Sequence, residues 1–239
     1  MVRSLAVTTL VVGYHHALTT ASEQDFRPHS GHLRQVLAEH DITLSEAARA
    51  DFDRRLVTWQ RLAHASAMAD LITMVLSRHG IDQPLSSSEL AVQMCERAGD
   101  APVTAEAART LTRLLEQGYG VLVATTTCRP QEQRAKALAD AGLGDVPLVT
   151  SSQLGVAAPH PEFYEHVLRR CAAAPGRVLW VGSDPIEDVA GPRAHGMHAA
   201  AVLPTTAAGR RERAARAGAH TVLTSLQELP DVLVPLARP

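Results

Sequence analysis

The chain has 239 residues, of which 46% are hydrophobic, and its 23 basic and 25 acidic residues give a formal net charge of −2 at pH 7. This length is enough for one large domain, or for a core domain that carries a smaller insert. The balanced charge and an aromatic content of only 3% exclude a strongly basic or base-stacking surface. We therefore expect no nucleic-acid partner and no attraction to anionic membranes.

The cysteines and the start of the chain favour a cytoplasmic protein. Cys95, Cys128 and Cys171 are widely spaced and odd in number, with no Cys-x-x-Cys pair, so a disulfide framework is not expected. The first residues lack the apolar core of a secretory signal. No apolar run approaches the length that crosses a bilayer, and the 12 histidines are scattered rather than clustered.

The first predicted element is a buried strand over residues 4–12, which ends at Gly13. Its apolar residues run without alternation, which is typical of a strand in a parallel sheet. His15 and His16 follow after one further residue, Tyr14. An imidazole titrates near neutral pH, so these two side chains are candidate acid or base groups. The alternative is that both are solvent-facing residues of a hinge.

Residues 16–100 have the pattern of a helical subdomain. Apolar residues recur at helical spacing in four segments, at residues 31–40, 43–65, 67–79 and 87–98. A break at residues 80–84 contains Gly80 and Pro84, and Ser86 with Glu89 is typical of a helix N-cap.

From residue 101 onward, helices and strands alternate. Helices are predicted at residues 104–117 and 130–141, and strands at 120–124, 146–150, 178–181 and 198–203. A basic helix at residues 210–217 is interpreted as a solvated face. Such alternation predicts an α/β fold with a doubly wound parallel sheet.

The stretch from Gly182 to Asp188 carries the most chemistry. A predicted strand ends at Gly182, Ser183 and Asp184 follow at once, and Asp188 lies in the first turn of the next helix. Open α/β sheets bind ligands beyond the carboxyl ends of their strands. We therefore expect a binding site at this position.

This stretch resembles the fourth motif of the haloacid dehalogenase-like (HAD) hydrolases, a strand followed by Gly-Asp-x-x-x-x-Asp and a helix. Asp188 falls on the second aspartate of that motif, whereas Ser183 takes the place of the first and Asp184 stands one residue late. The resemblance implies a Rossmann-like core of residues 1–15 and 101–239. It also implies that residues 16–100 are the helical cap found in the capped members of the family.

The family's first strand leads into Asp-x-Asp-Gly-Thr, where the first aspartate attacks phosphorus and the second protonates the leaving group. One alignment of the amino terminus places Thr8 and Leu10 at these two positions. A shift of one residue places Thr9 and Val11 there instead. Neither alignment supplies a carboxylate.

The second and third motifs of the family also have counterparts. A serine or threonine after the second strand binds the phosphoryl group, and Thr125, followed by Thr126, matches it. The third motif, Gly-x-x-Lys-Pro, matches at Gly155 and at the prolines that follow. Its lysine is replaced by Ala158.

We expect a small-molecule or protein partner in the cleft between core and cap, and the sequence predicts no oligomeric state. The candidate site residues have three expected roles: catalytic for His15, His16 and Asp184; ligand-binding for Thr8, Thr9, Thr125, Thr126 and Ser183; and metal-binding for Asp184 and Asp188, with Mg²⁺ held weakly at most.

Three functions remain open at this point. The first is a pseudoenzyme that serves as a ligand-binding, regulatory or partner-binding scaffold. The second is an enzyme that performs other chemistry in the cleft, and the third is a HAD hydrolase whose first motif lies elsewhere.

Overall fold

The computed structural model describes residues 6–19, 26–61 and 68–234. Six parallel strands form one sheet in the order β3-β2-β1-β4-β5-β6, which is the order of a doubly wound sheet. The strands are β1 Thr9–Gly13, β2 Gly120–Thr125, β3 Leu148–Thr150, β4 Val178–Gly182, β5 His198–Val202 and β6 Thr221–Leu223. Val12 pairs with Val123 on one side and Val181 on the other, so the predicted parallel sheet is confirmed.

Helices occupy the connections between the strands. They are α1 Ser30–Ala38, α2 Glu46–Arg61, α3 Met68–Arg78, α4 Ser87–Ala98, α5 Ala105–Glu116, α6 Gln131–Asp140, α7 Ser151–Leu154, α8 Pro161–Cys171, α9 Gly191–Ala194, α10 Ala208–Arg216 and α11 Leu229–Val232. Within the three described ranges, no helix combines the length and the apolar character needed to cross a membrane.

The sheet is buried on both faces, and successive residues of β1 point to opposite sides of it. Leu10 packs on the face that also buries Leu111 of α5. Val11 packs on the other face with Phe163 of α8 and Trp180 of β4. Burial on both faces explains why the strand sequences are apolar without alternation.

Helices α1–α4 form an insert with a hydrophobic core of its own, centred on Leu33, Phe52, Ile72 and Leu90. The predicted cap of α4 is confirmed. The Ser86 Oγ accepts a hydrogen bond from the Glu89 amide at 3.3 Å, and the Glu89 carboxylate accepts one from the Ser86 amide at 2.9 Å. The domain boundaries at residues 15/16 and 100/101 stay predictions.

A buried arginine joins the insert to the core where the chain returns from α4. The Arg134 side chain is fully buried, and its Nη1 donates to the Asp100 Oδ1 at 2.5 Å. Its guanidinium also lies 4.2 Å from the centre of the Tyr14 ring, just after β1. Arg129 donates to the carbonyl oxygen of Gly99 at 2.7 Å, so two guanidinium groups hold this junction.

Replacement of Arg134 by Met should destabilise the protein by about 3 kcal/mol, because it leaves the Asp100 carboxylate without its closest counter-charge in a largely buried position. Urea unfolding followed by circular dichroism measures this free energy. The matched control is Arg113→Met on the exposed face of α5, which should change it by less than about 0.5 kcal/mol. Equal effects of the two substitutions would contradict the assignment.

Candidate functional site

A cleft of about 290 Å³ lies at the carboxyl ends of β1, β2 and β4, and we call it the strand-end cleft. Seven of the predicted site residues line it: His15, His16, Thr125, Thr126, Ser183, Asp184 and Asp188. Two larger cavities, of about 670 and 490 Å³, lie between α4 and α6. They contain none of the predicted site residues, so the smaller cleft is the candidate site.

Asp188 is held by three N–H groups. Its Oδ2 accepts hydrogen bonds from the amides of Ser183 at 2.7 Å and Asp184 at 2.8 Å, and its Oδ1 accepts one from the Trp180 Nε1 at 2.9 Å. Burial raises the pKa of the Asp188 carboxyl, while these three donors stabilise its ionised form and oppose that shift. Gly182 is required beside it, because a Cβ there would lie 2.2 Å from the Asp188 Cγ.

Asp184 caps the helical turn that follows β4. Its Oδ1 accepts hydrogen bonds from the amides of Ile186 at 2.8 Å and Glu187 at 2.9 Å, which are among the free donors at the start of the turn Pro185–Ala190. This carboxylate therefore has a structural role in addition to the catalytic and metal-binding roles predicted for it.

The donor set of the cleft does not fit a firmly held Mg²⁺. This ion requires a near-octahedral shell of oxygen atoms with carboxylate oxygens available to it. Both oxygens of Asp188 and one oxygen of Asp184 already accept N–H groups. In the part of the chain that the structure describes, no group of three or more His, Cys, Asp or Glu side chains is arranged to hold a metal.

The segment at the end of β1 contributes backbone and imidazole groups to the cleft, but no carboxylate. Gly13 is the last residue of the strand, and His15 and His16 follow in an irregular turn. His16 is exposed and has a positive φ of 59°. The His15 Nε2 lies 3.1 Å from the Arg134 Nη2, and because a guanidinium can only donate, this ring nitrogen is the acceptor.

Thr8 and Thr9 lie at the amino-terminal end of β1, at the opposite end of the strands from the cleft, so the expectation that they bind a ligand there is wrong. Thr9 pairs with Gly120 and Val178, which are the first residues of β2 and β4. The strand continues for four residues beyond Thr9, to Gly13. Both alignments of the first motif therefore ended the strand too early.

The same error applies to the positions two residues further along. Leu10 and Val11 have no exposed surface and belong to the hydrophobic core on the two faces of the sheet. Neither side chain reaches the cleft, so neither occupies the position of a general acid.

Thr125 and Thr126 are at the predicted place. Thr125 is the last residue of β2 and is 4% exposed, and its Oγ1 lies 3.5 Å from the Thr126 carbonyl oxygen. Ala158 also borders the cleft, so the position that resembles the third-motif lysine contributes no charge.

Arg210 lines the cleft although the sequence did not predict it as a site residue. Residues 210–217 were interpreted as a solvated face, but the Arg210 Nη2 donates to the Ser183 carbonyl oxygen at 3.1 Å and the side chain lines the cleft. Arg213 and Arg216 of the same helix are exposed, as expected. The available signal was the position of Arg210 at the start of α10, beyond the carboxyl end of β5.

A family model described as a haloacid dehalogenase-like hydrolase matches residues 9–196. The chain belongs to the haloacid dehalogenase-like hydrolases. The family assignment made from the fourth motif is thereby confirmed, and a search of curated proteins found no significant match.

Solved structures of HAD proteins share this fold over nearly the whole chain. The 2-haloacid dehalogenase from Pseudomonas syringae pv. Tomato is 19% identical, with a TM-score of 0.65, and the match covers 95% of this chain and 97% of that one. The HAD phosphatase from Thermococcus onnurineus is 18% identical, with a TM-score of 0.62 and coverage of 96% and 99%. The L-2-haloacid dehalogenase from Xanthobacter autotrophicus is 17% identical, with a TM-score of 0.60 and coverage of 95% and 98%.

In this HAD protein, Asp188→Asn should lower the free energy of unfolding by about 2 kcal/mol, because an amide would have to turn an N–H group toward at least one of the three donors. Asp184→Asn removes the same charge four residues away but should cost less than about 0.5 kcal/mol, since Asn caps helices as well as Asp. Urea denaturation compares the two. Equal losses would show that charge, rather than acceptor geometry, decides the effect.

Proposed function

We propose that this HAD-like protein binds a small ligand in the strand-end cleft and does not perform the aspartyl-nucleophile chemistry of its family. The observation that carries the proposal is the end of β1, where Gly13 offers no side chain to the cleft. A glycine has no oxygen that can attack a substrate.

The register of the first motif supports this reading. If the family's Asp-x-Asp-Gly is placed where β1 ends, its members fall on Gly13, His15 and His16. His16 has a φ of 59°, a conformation that favours glycine, and it stands where the motif has glycine. In this register both catalytic aspartates are replaced.

The remaining groups do not rebuild the family mechanism. Loss of a nucleophile typically lowers turnover by a factor on the order of 10⁴ to 10⁶. The acceptor nitrogen of His15 is directed at Arg134, and Ala158 brings no cation. The third possibility, a hydrolase with its first motif elsewhere, requires a carboxylate near the end of β1, and residues 7–19 contain none.

A second candidate function, non-phosphatase chemistry in the same cleft, rests on His16. Its imidazole is exposed at the cleft and is not part of the hydrophobic core. An accessible imidazole can accept and return a proton near neutral pH. The scaffold is favoured because the carboxylates of Asp184 and Asp188 already accept hydrogen bonds from N–H groups of the fold. The His15 Nε2, in turn, faces the Arg134 guanidinium.

The purified protein should not hydrolyse p-nitrophenyl phosphate or release chloride from 2-chloropropionate above the buffer rate, with or without Mg²⁺, because no nucleophilic carboxylate lies at the end of β1. Phosphate and chloride release are the measurements. An active HAD phosphatase and an active dehalogenase, assayed in parallel, are the controls. Turnover that rises in proportion to the concentration of this protein would overturn the proposal.

Gly13→Asp should create a cation site that the wild-type protein lacks. A Cβ at Gly13 would meet only ordinary contacts, including the Asp188 Oδ1 at 3.6 Å, so a carboxylate fits beside the existing one. We expect Mg²⁺ to raise the melting temperature of Gly13→Asp but not that of the wild type, because the new carboxylate would bring uncommitted oxygens and would be repelled by the charge of Asp188 until a cation binds it. Gly13→Asn is the uncharged control, and the same Mg²⁺ effect in all three proteins would contradict the prediction.

A further inference from the structure

We propose that Arg210 is the anion-binding residue of the strand-end cleft and that the ligand is a small molecule bearing a carboxylate or phosphate group. This inference rests on the proposed function, since it assigns the chemistry of the ligand in the same cleft. Arg210 lies on α10, outside the four sequence motifs of the HAD family.

The guanidinium of Arg210 has unused hydrogen-bonding capacity. Its one hydrogen bond to a described residue runs from Nη2 to the Ser183 carbonyl oxygen at 3.1 Å. A guanidinium carries five N–H donors in a planar fork. The fixed contact positions the group at the cleft, and its remaining donors match the paired oxygens of a carboxylate or phosphate.

The adjacent Arg211 differs from Arg210 in how many carbonyl oxygens its guanidinium contacts. Arg211 donates to the carbonyl oxygens of Leu203, Leu223 and Val222 and thereby closes the ends of β5 and β6. Its guanidinium is engaged in holding the fold together. Arg210 has no comparable set of acceptors among the described residues, so its charge is available to a ligand.

The cleft carboxylates do not neutralise Arg210. Among the described residues, Arg210 forms no ion pair within 4.0 Å, although Asp184, Glu187 and Asp188 border the same cleft. Asp188 accepts three N–H groups and Asp184 accepts two. Both oxygens of Asp188 and one oxygen of Asp184 thus face backbone N–H groups and the Trp180 indole rather than the Arg210 guanidinium.

The size and lining of the cleft limit the ligand. Its volume of about 290 Å³ lies at the lower end of small-molecule sites. Ala158, Phe163 and Trp180 provide apolar surface, and Thr126 provides a hydroxyl. A short molecule with one anionic group at Arg210 and an apolar or hydroxylated remainder fits this lining.

Isothermal titration calorimetry with inorganic phosphate and with propionate tests the inference, at about 0.1 M salt, where the Debye length is about 10 Å. The wild-type protein should bind at least one probe, and the tighter probe identifies the source of the anion. Arg210→Gln should weaken that binding about tenfold or more, because a charge-assisted hydrogen bond is lost. Arg210→Lys should lose less, since it keeps the charge but not the fork.

Arg213→Gln is the matched control, because Arg213 is an exposed residue of the same helix. This substitution should leave the affinity for the probe within about twofold of the wild-type value. Circular dichroism of each variant establishes that it is folded. If Arg210→Gln does not fold, the affinity of Arg210→Lys still tests the inference. Unchanged affinity of a folded Arg210 variant, an equal loss in Arg213→Gln, or no binding of either probe to the wild type would overturn it. A different result would contradict the proposed function, namely turnover of substrate in the hydrolysis assays.

Discussion

The carboxylate of Asp188 fixes the end of β4 and the turn that follows it, both of which line the strand-end cleft. It joins the indole of Trp180 on β4 to the amides of Ser183 and Asp184 in the turn beyond the strand. A buried carboxylate is tolerated only when its oxygens are satisfied, and this one is satisfied by the fold itself. The close approach also requires Gly182, since no side chain fits between the strand and the carboxylate.

The fold could be predicted from the sequence because its signals are local. Helix α4 was expected at residues 87–98 and is found at Ser87–Ala98, since a capping serine and helical spacing both mark it. The central strands were expected from apolar runs that only a doubly covered sheet can bury. The first strand was expected at residues 4–12 but spans Thr9–Gly13, and residues 1–5 lie outside the described part of the chain.

The site was predicted only in part, because two of its features depend on geometry that the sequence does not record. The run Leu10 to Val12 contains no polar residue that would mark where the strand ends, so the first motif was placed too early. Arg210 was missed for another reason. The side of α10 that faces the cleft is set by how the helix packs on β5 and β6. The helix carries four arginines in nine residues, and the sequence alone does not show which of them faces the cleft.

The contact between Arg134 and Asp100 has a consequence for how the cleft receives a molecule. The same guanidinium touches His15 at the cleft and the segment where the insert rejoins the core. A swing of the insert away from the core would separate a buried pair of opposite charges and leave each without its partner, which is costly. The contact therefore restrains His15 at the border of the cleft, so we expect this side chain to lose little conformational entropy if a ligand binds as proposed.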